Sequence, residues 1–177
     1  MWFDSYPDEK EHVSVAPLPT TGLGPAMALL SAMPERWGRV RVPVPATPVS
    51  LSAAIVEGLH SGWLLEEYGT PTGIVELYDY SVEHLTVWMG IVPFGDQVTP
   101  ELARFGRKVI EDVAVSSRIA RIYSRSCTCQ VDLFPALGLA GEDCGRLQRE
   151  FAHAGSPCSA FVTSVSVPGA ARQLGCA

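Results

Sequence analysis

Val13 and Val15 alternate with His12, Ser14 and Ala16, the period-two pattern of a strand. Residues 1–12 before them carry Asp4, Asp8, Glu9 and Glu11 and read as an acidic tail, with one domain over residues 13–177. The apolar segment 23–33 follows the caps Thr20 and Thr21 and has Pro25 in its first turn, so a helix is expected there. Pro43, Pro45 and Pro48 make residues 36–48 a surface loop. Ser50 or Ser52 then caps a second short helix through Ile55, Val56 and Leu59, stopped by His60-Ser61-Gly62. Here the period changes. Residues 63–68 and 74–80 read as antiparallel strands around the turn Gly69-Thr70-Pro71-Thr72-Gly73, and 85–92 as the third strand of a meander. Thr99 as N-cap, Pro100 at the first helical position and Glu101 beside the helix dipole open a long helix whose Leu102, Phe105, Val109, Ile110 and Val113 share one face. A strand at 119–123, a short helix at 131–137 ended by Gly138, and strands at 147–152 and 160–167 around Gly155-Ser156-Pro157 complete the chain. The fold class predicted is α/β of the α+β kind, a mixed, mostly antiparallel sheet with helices on both faces.

Composition narrows the function. With 177 residues, 47% hydrophobic and 18% charged, the chain has enough apolar material for one core, which excludes general disorder. Thirteen basic against nineteen acidic residues give −6 with no basic cluster, a field that repels phosphate backbones and excludes nucleic acid as partner. The longest apolar stretch, 85–94, is half of the ~20 residues a spanning helix needs, so no membrane association is expected. The opening residues lack a secretory signal's apolar centre, and a cytoplasmic location follows as the expectation. Cys127, Cys129, Cys144, Cys158 and Cys176 are odd in number and crowd into the last third, which reads as reduced thiols. The Cys-x-Cys pair has no second pair of ligands at suitable spacing, so no metal is expected.

The element order over residues 13–167 resembles the GNAT superfamily of acyl-CoA-dependent acyltransferases. Leu133-Phe134-Pro135-Ala136-Leu137-Gly138-Leu139 is similar to that family's short helix ending in a Leu-Gly corner. The resemblance implies a last meander strand splayed from its neighbour. There the pantetheine arm of acetyl-CoA or another acyl-CoA would pair at Ile91 and Val92, and backbone N–H groups around Gln97, Val98 and Thr99 would hold the pyrophosphate. Family members carry small residues three and five places after the first residue of that loop. With Gln97 first, Pro100 and Leu102 stand there instead, flanked by Asp96 and Glu101. Weak binding of acetyl-CoA, with a dissociation constant of ~0.1 mM or worse, is the expectation. By the same comparison Phe134 takes the place of a tyrosine that protonates the departing thiolate, Cys127 that of an asparagine on the cofactor, and Gln130 that of a serine in the branch acting on ribosomal proteins.

Alternation puts Ile74, Glu76, Tyr78 and Tyr80 on one face of their strand, so Glu76 sits among aromatics where it can serve as a general base or, more plainly, as a paired strand carboxylate. His84 opens the third strand on the face of Thr86 and Trp88, as an acid or base or as a surface histidine. Cys127 becomes a nucleophile if Arg121 or Arg125 stabilises its thiolate, and is otherwise a small buried hydrophobe. Trp37 and Arg39, with Arg41, lie where the resemblance places a segment over the acceptor cleft, and Trp63, Tyr78 and Trp88 would line it; solvated surface and core packing are the plainer readings. Three functions follow. The first is transfer of an acyl group from an acyl-CoA thioester to an amine or hydroxyl of a small molecule. The second is a GNAT-fold enzyme that no longer uses acetyl-CoA and catalyses a cyclisation, rearrangement or decarboxylation in specialised-metabolite biosynthesis. The third is a non-catalytic ligand-binding protein that forms a homodimer through a strand edge.

Overall fold

Tyr68 and Gly69 both take positive φ, 52° and 72°. Two successive left-handed residues make the tight turn whose twist matches its flanking strands, and glycine adopts the second without strain. The computed structural model describes residues 12–18, 59–127, 132–153 and 156–167. Its elements are β1 (Val13–Leu18), β2 (Leu59–Glu67), β3 (Thr70–Ser81), β4 (Thr86–Pro93), α1 (Pro100–Ser116), β5 (Arg121–Cys127), α2 (Leu133–Ala136), β6 (Glu142–His153) and β7 (Ser156–Ser166). The strands form a single sheet in the order β1-β2-β3-β4-β5-β7-β6. Among the described strands only β4 and β5 are parallel, so the sheet is mixed and mostly antiparallel as the pattern predicts.

Amphipathic spacing turns into packing along α1. Leu102, Phe105, Val109 and Val113 are each 5% exposed or less and meet Trp63, Leu65, Val75, Leu77, Val87, Met89, Ile91 and Ile122 from the sheet. Each such side chain stabilises the fold by about 1.5–3 kcal/mol on burial. Leu133, Phe134 and Leu137 of the α2 segment join the same cluster, so both described helices cover one face. On the other face Ile74, Glu76, Tyr78 and Val92 are buried as completely. The α2 corner is pinned to α1 by Arg107, whose Nε donates to the Leu137 carbonyl at 3.1 Å, and Gly138 leaves the helix with φ 68°. Gly106 admits that corner, for a Cβ there would lie 2.9 Å from Leu137 Cδ2.

Several boundaries differ from the sequence expectation. Leu59 to Gly62 belong to β2 and do not end a helix, because Leu59 pairs with Tyr78 and Ser61 with Leu77 across a bulge. The first turn is Tyr68-Gly69 alone. Pro71 lies within β3 opposite Glu66, beside a register shift that accommodates its missing N–H. Leu85 has φ 52° and stays outside β4. The last two strands run longer than expected, and the turn between them is correspondingly shorter, Ser156 and Pro157 being part of β7. The helix expected at 23–33, the loop at 36–48 and the start of the second helix lie outside the described residues.

Gly73 sets how closely α1 approaches the sheet, since a Cβ there would come 2.4 Å from Leu102 Cδ2 and 2.9 Å from the Val92 carbonyl oxygen. Gly73→Ala should destabilise the protein by about 1–3 kcal/mol, the usual cost of overpacking, read from the urea midpoint at unchanged slope. An unchanged midpoint would show that the helix rides off the sheet at no cost.

Candidate functional site

The one parallel pair among the described strands is short. β4 and β5 share three rungs, Thr86 with Arg121, Val87 with Ile122 and Trp88 with Tyr123. Beyond Trp88, β4 continues against β3 as far as Pro93 opposite Gly73, and β5 continues against β7 as far as Cys127 opposite Ala160. The two strands therefore part while each keeps its outer neighbour, and the backbone of β4 from 89 to 93 turns its edge toward a cleft. Past the last rung β5 places the small buried side chains of Ser124 and Ser126 where Ile122 fills the preceding position. A thin extended ligand could add to such an edge by backbone hydrogen bonds. Ile91 and Val92 lie on this edge with their side chains buried, so it is their main chain that meets the cleft.

The cleft mouth carries the chemistry. Tyr78, Trp88 and Tyr123 form one cross-strand row, with ring centroids 6.3 Å apart for the first pair and 5.4 Å for the second. The Arg125 guanidinium lies over Tyr78 at 5.8 Å and over Trp88 at 5.7 Å. The next row is Gly62, Glu76 and Gly90. Glu76 is only 1% exposed, and a Cβ on Gly90 would stand 2.8 Å from its Oε1 and 3.1 Å from its Cγ. Its side chain thus lies across β4 two residues past the last β4–β5 rung, where the strands separate. Tyr80 does not share this face. Asp79 has φ 49° and the register shifts between Tyr78 and Ser81, so Tyr80 packs against the helix-side core.

At the start of α1 the cap is as expected. The Leu102 N–H donates to Thr99 Oγ1 at 3.1 Å and the Ala103 N–H to the Thr99 carbonyl at 2.9 Å. The Thr99 hydroxyl in turn donates to Glu67 Oε1 at 2.6 Å, a contact that joins the end of β2 to the helix. Pro100 has no N–H, and Gln97 is exposed in the preceding bend with Val98 half-buried behind it. With the Leu102 N–H engaged by the cap side chain, Pro100 lacking one, and Glu67, Asp96 and Glu101 all nearby in the chain or in contact, the residues fit a pantetheine arm at the β4 edge better than a diphosphate at the helix.

The remaining candidates scatter. His84 lies in the exposed turn between β3 and β4, its N–H donating to Ser81 Oγ at 3.2 Å. It does not share the strand face of Thr86 and Trp88, because the left-handed Leu85 interrupts the alternation. Nor does it approach Glu76, since the hairpin end is about 16 Å farther along β3 at the usual strand rise. Cys127 closes β5 at the splayed end. Trp37, Arg39, Arg41, Cys129 and Gln130 lie outside the described residues. Phe134 is fully buried in the core and has no proton to give. The local pattern reads Gly62 as part of a helix stop and gives Gly90 no role, although glycine inside a strand is a signal of close approach. It also passed over Asp132, ahead of α2, whose carboxyl desolvation raises above its usual range. Among the described residues no group of His, Cys, Asp and Glu could hold a metal ion, and no helix is long and apolar enough to cross a membrane.

No family model matches the sequence, and no curated protein matches it. Solved structures do. A spermidine N-acetyltransferase from Vibrio cholerae, crystallised with CoA and spermine, superposes with a TM-score of 0.65 over 91% of this chain and 99% of that one at 14% identity. A ribosomal-protein-S5-alanine acetyltransferase from Vibrio fischeri gives 0.64 over 90% and 96% at 13% identity. The protein yncA from Salmonella typhimurium, with its cofactor acetyl-CoA, gives 0.63 over 88% and 94% at 10% identity. The fold of this chain is that of the GNAT acetyltransferases, as the element order and the Leu137-Gly138 corner indicate from sequence.

The crowding of Glu76 against Gly90 is measurable without any substrate. Gly90→Ala should cost about 1–3 kcal/mol of stability, and the cost should fall by at least ~0.5 kcal/mol in a Glu76→Ala background, where the added methyl meets no carboxylate. Additive effects in that double-mutant cycle would place the carboxylate away from Gly90.

Proposed function

We propose that this protein is an acyltransferase of the GNAT kind, moving an acyl group from a thioester to an amine at the β4/β5 cleft, with Glu76 as general base. The observation that carries the reading is the buried Glu76 carboxylate laid across Gly90 where β4 leaves β5. An amine must lose a proton to attack a thioester carbonyl, and a carboxylate among apolar neighbours and fixed strands is suited to take it. The C–N bond forms as the C–S bond breaks. The nitrogen's proton passes to Glu76, and water protonates the departing thiolate, since Phe134 has no proton to offer. Most of the acceleration then comes from holding amine and thioester together, a role for the rigid antiparallel pair β3 and β4.

The acceptor is an amine on a small molecule. Spermidine and a ribosomal-protein alanine are named for two structural neighbours, which supports amine chemistry in general. The aromatic row of buried Tyr78 with half-buried Trp88 and Tyr123, Arg125 lying over the first two, supports a compact acceptor. Glu76→Gln keeps the shape and removes the basicity. It should lower turnover with a small thioester and a responsive amine by about 10²-fold or more while ligand affinity stays within a few-fold, the pattern of a group that acts mainly in the transition state. Retention of near-full turnover would remove Glu76 from the mechanism.

A further inference from the structure

We infer that the acyl donor is a pantetheine thioester recognised through its arm alone, with no diphosphate read at the start of α1. The inference rests on the acyl-transfer reading and adds the class of donor. A diphosphate at a helix N-terminus needs backbone N–H groups aimed outward and a positive field. Here Pro100 supplies no N–H, and Leu102 gives its own to Thr99 Oγ1. The positive end of the helix already has a carboxylate. Glu67 accepts the Thr99 hydroxyl at 2.6 Å, so a negative charge is fixed one side chain away from the cap, and Asp96 and Glu101 flank it in the chain.

Two of the three cations of α1 are engaged away from the cap. Arg104 and Lys108 line the groove against Val13 and Val15 of β1, Lys108 also pairs with Asp112, and Arg107 is spent on the Leu137 carbonyl. The splayed edge of β4 at 89–93 and the small Ser124 and Ser126 across from it remain suited to an extended amide-bearing arm. Recognition is thereby shifted from the phosphates to the arm. Such a thioester arrives either as a small free molecule or as an acylated 4′-phosphopantetheine, whose single phosphate ends the arm.

Calorimetric titration of the intact protein with CoA, pantetheine and 4′-phosphopantetheine tests the inference directly. CoA should bind no more than about threefold more tightly than pantetheine. Glu67→Gln, which keeps an acceptor for Thr99 but removes the charge, should raise the affinity for CoA about fivefold or more and leave that for pantetheine unchanged. A wild-type preference for CoA over pantetheine of tenfold or more on this affinity scale, or a Glu67→Gln variant that treats both alike, overturns the inference. Turnover of acetyl-CoA and S-acetylpantetheine with one amine separates the two readings. Turnover with a strong preference for acetyl-CoA sinks the donor class and keeps acyl transfer, whereas equal binding with no turnover of either sinks acyl transfer and keeps recognition of the arm. Absence of binding by all three probes sinks both. 4′-Phosphopantetheine should bind as pantetheine does, and a tenfold or greater gain from its phosphate overturns recognition through the arm alone.

Discussion

Three rungs of parallel pairing between β4 and β5 decide most of what this molecule can do. A parallel neighbour cannot be reached by a hairpin and needs a crossover, which is why α1 stands between the two strands in sequence and over the sheet in space. Because β4 is also held by β3 along its length and β5 by β7, the pair can part after Trp88 and Tyr123 without either strand losing its place. The opening is thus a property of the sheet itself. It places the Glu76 carboxylate on one face of the sheet and the small buried Ser124 and Ser126 on the other, along the two strands that separate.

Holding Glu76 there runs against the ordinary economics of a core. Removing a carboxylate from water costs several kcal/mol unless polar partners compensate, and Glu76 does engage in polar interactions. Its neighbours in register are glycines on both sides, which contribute little to sheet stability. A stretch of central sheet built of Gly62, Glu76 and Gly90 is a poor choice for stability alone. It makes sense where a charged oxygen has to reach past a strand.

How much of this was readable from the sequence depends on the range of each signal. The Thr99-Pro100 cap and the amphipathic face of α1 are local, so spacing revealed them. The alternation of Ile74, Glu76 and Tyr78 was legible for the same reason, up to the point where Asp79 turns left-handed and sends Tyr80 to the other side. Turn chemistry misled at residues 69–73, because the tight turn recruits Tyr68, a residue no composition rule favours for positive φ, while Pro71 and Gly73 serve within the strand. The contact between Glu67 and Thr99 spans 32 residues and depends on where β2 ends relative to α1, so no local pattern could announce it. Gly73 and Gly106 look like helix- and strand-weakening residues in one dimension and become contact surfaces in three.

The pinning of Leu137 by Arg107 has a mechanical meaning. A helix of four residues, as α2 is, has no independent stability, since nucleation alone outweighs what so few hydrogen bonds return. Its shape is therefore imposed by α1, through Arg107 on the Leu137 carbonyl and Gly106 against the Leu137 side chain. The corner after β5 and the long helix behave as one lever with its arm along α1. Any displacement of α1 would therefore carry α2 with it.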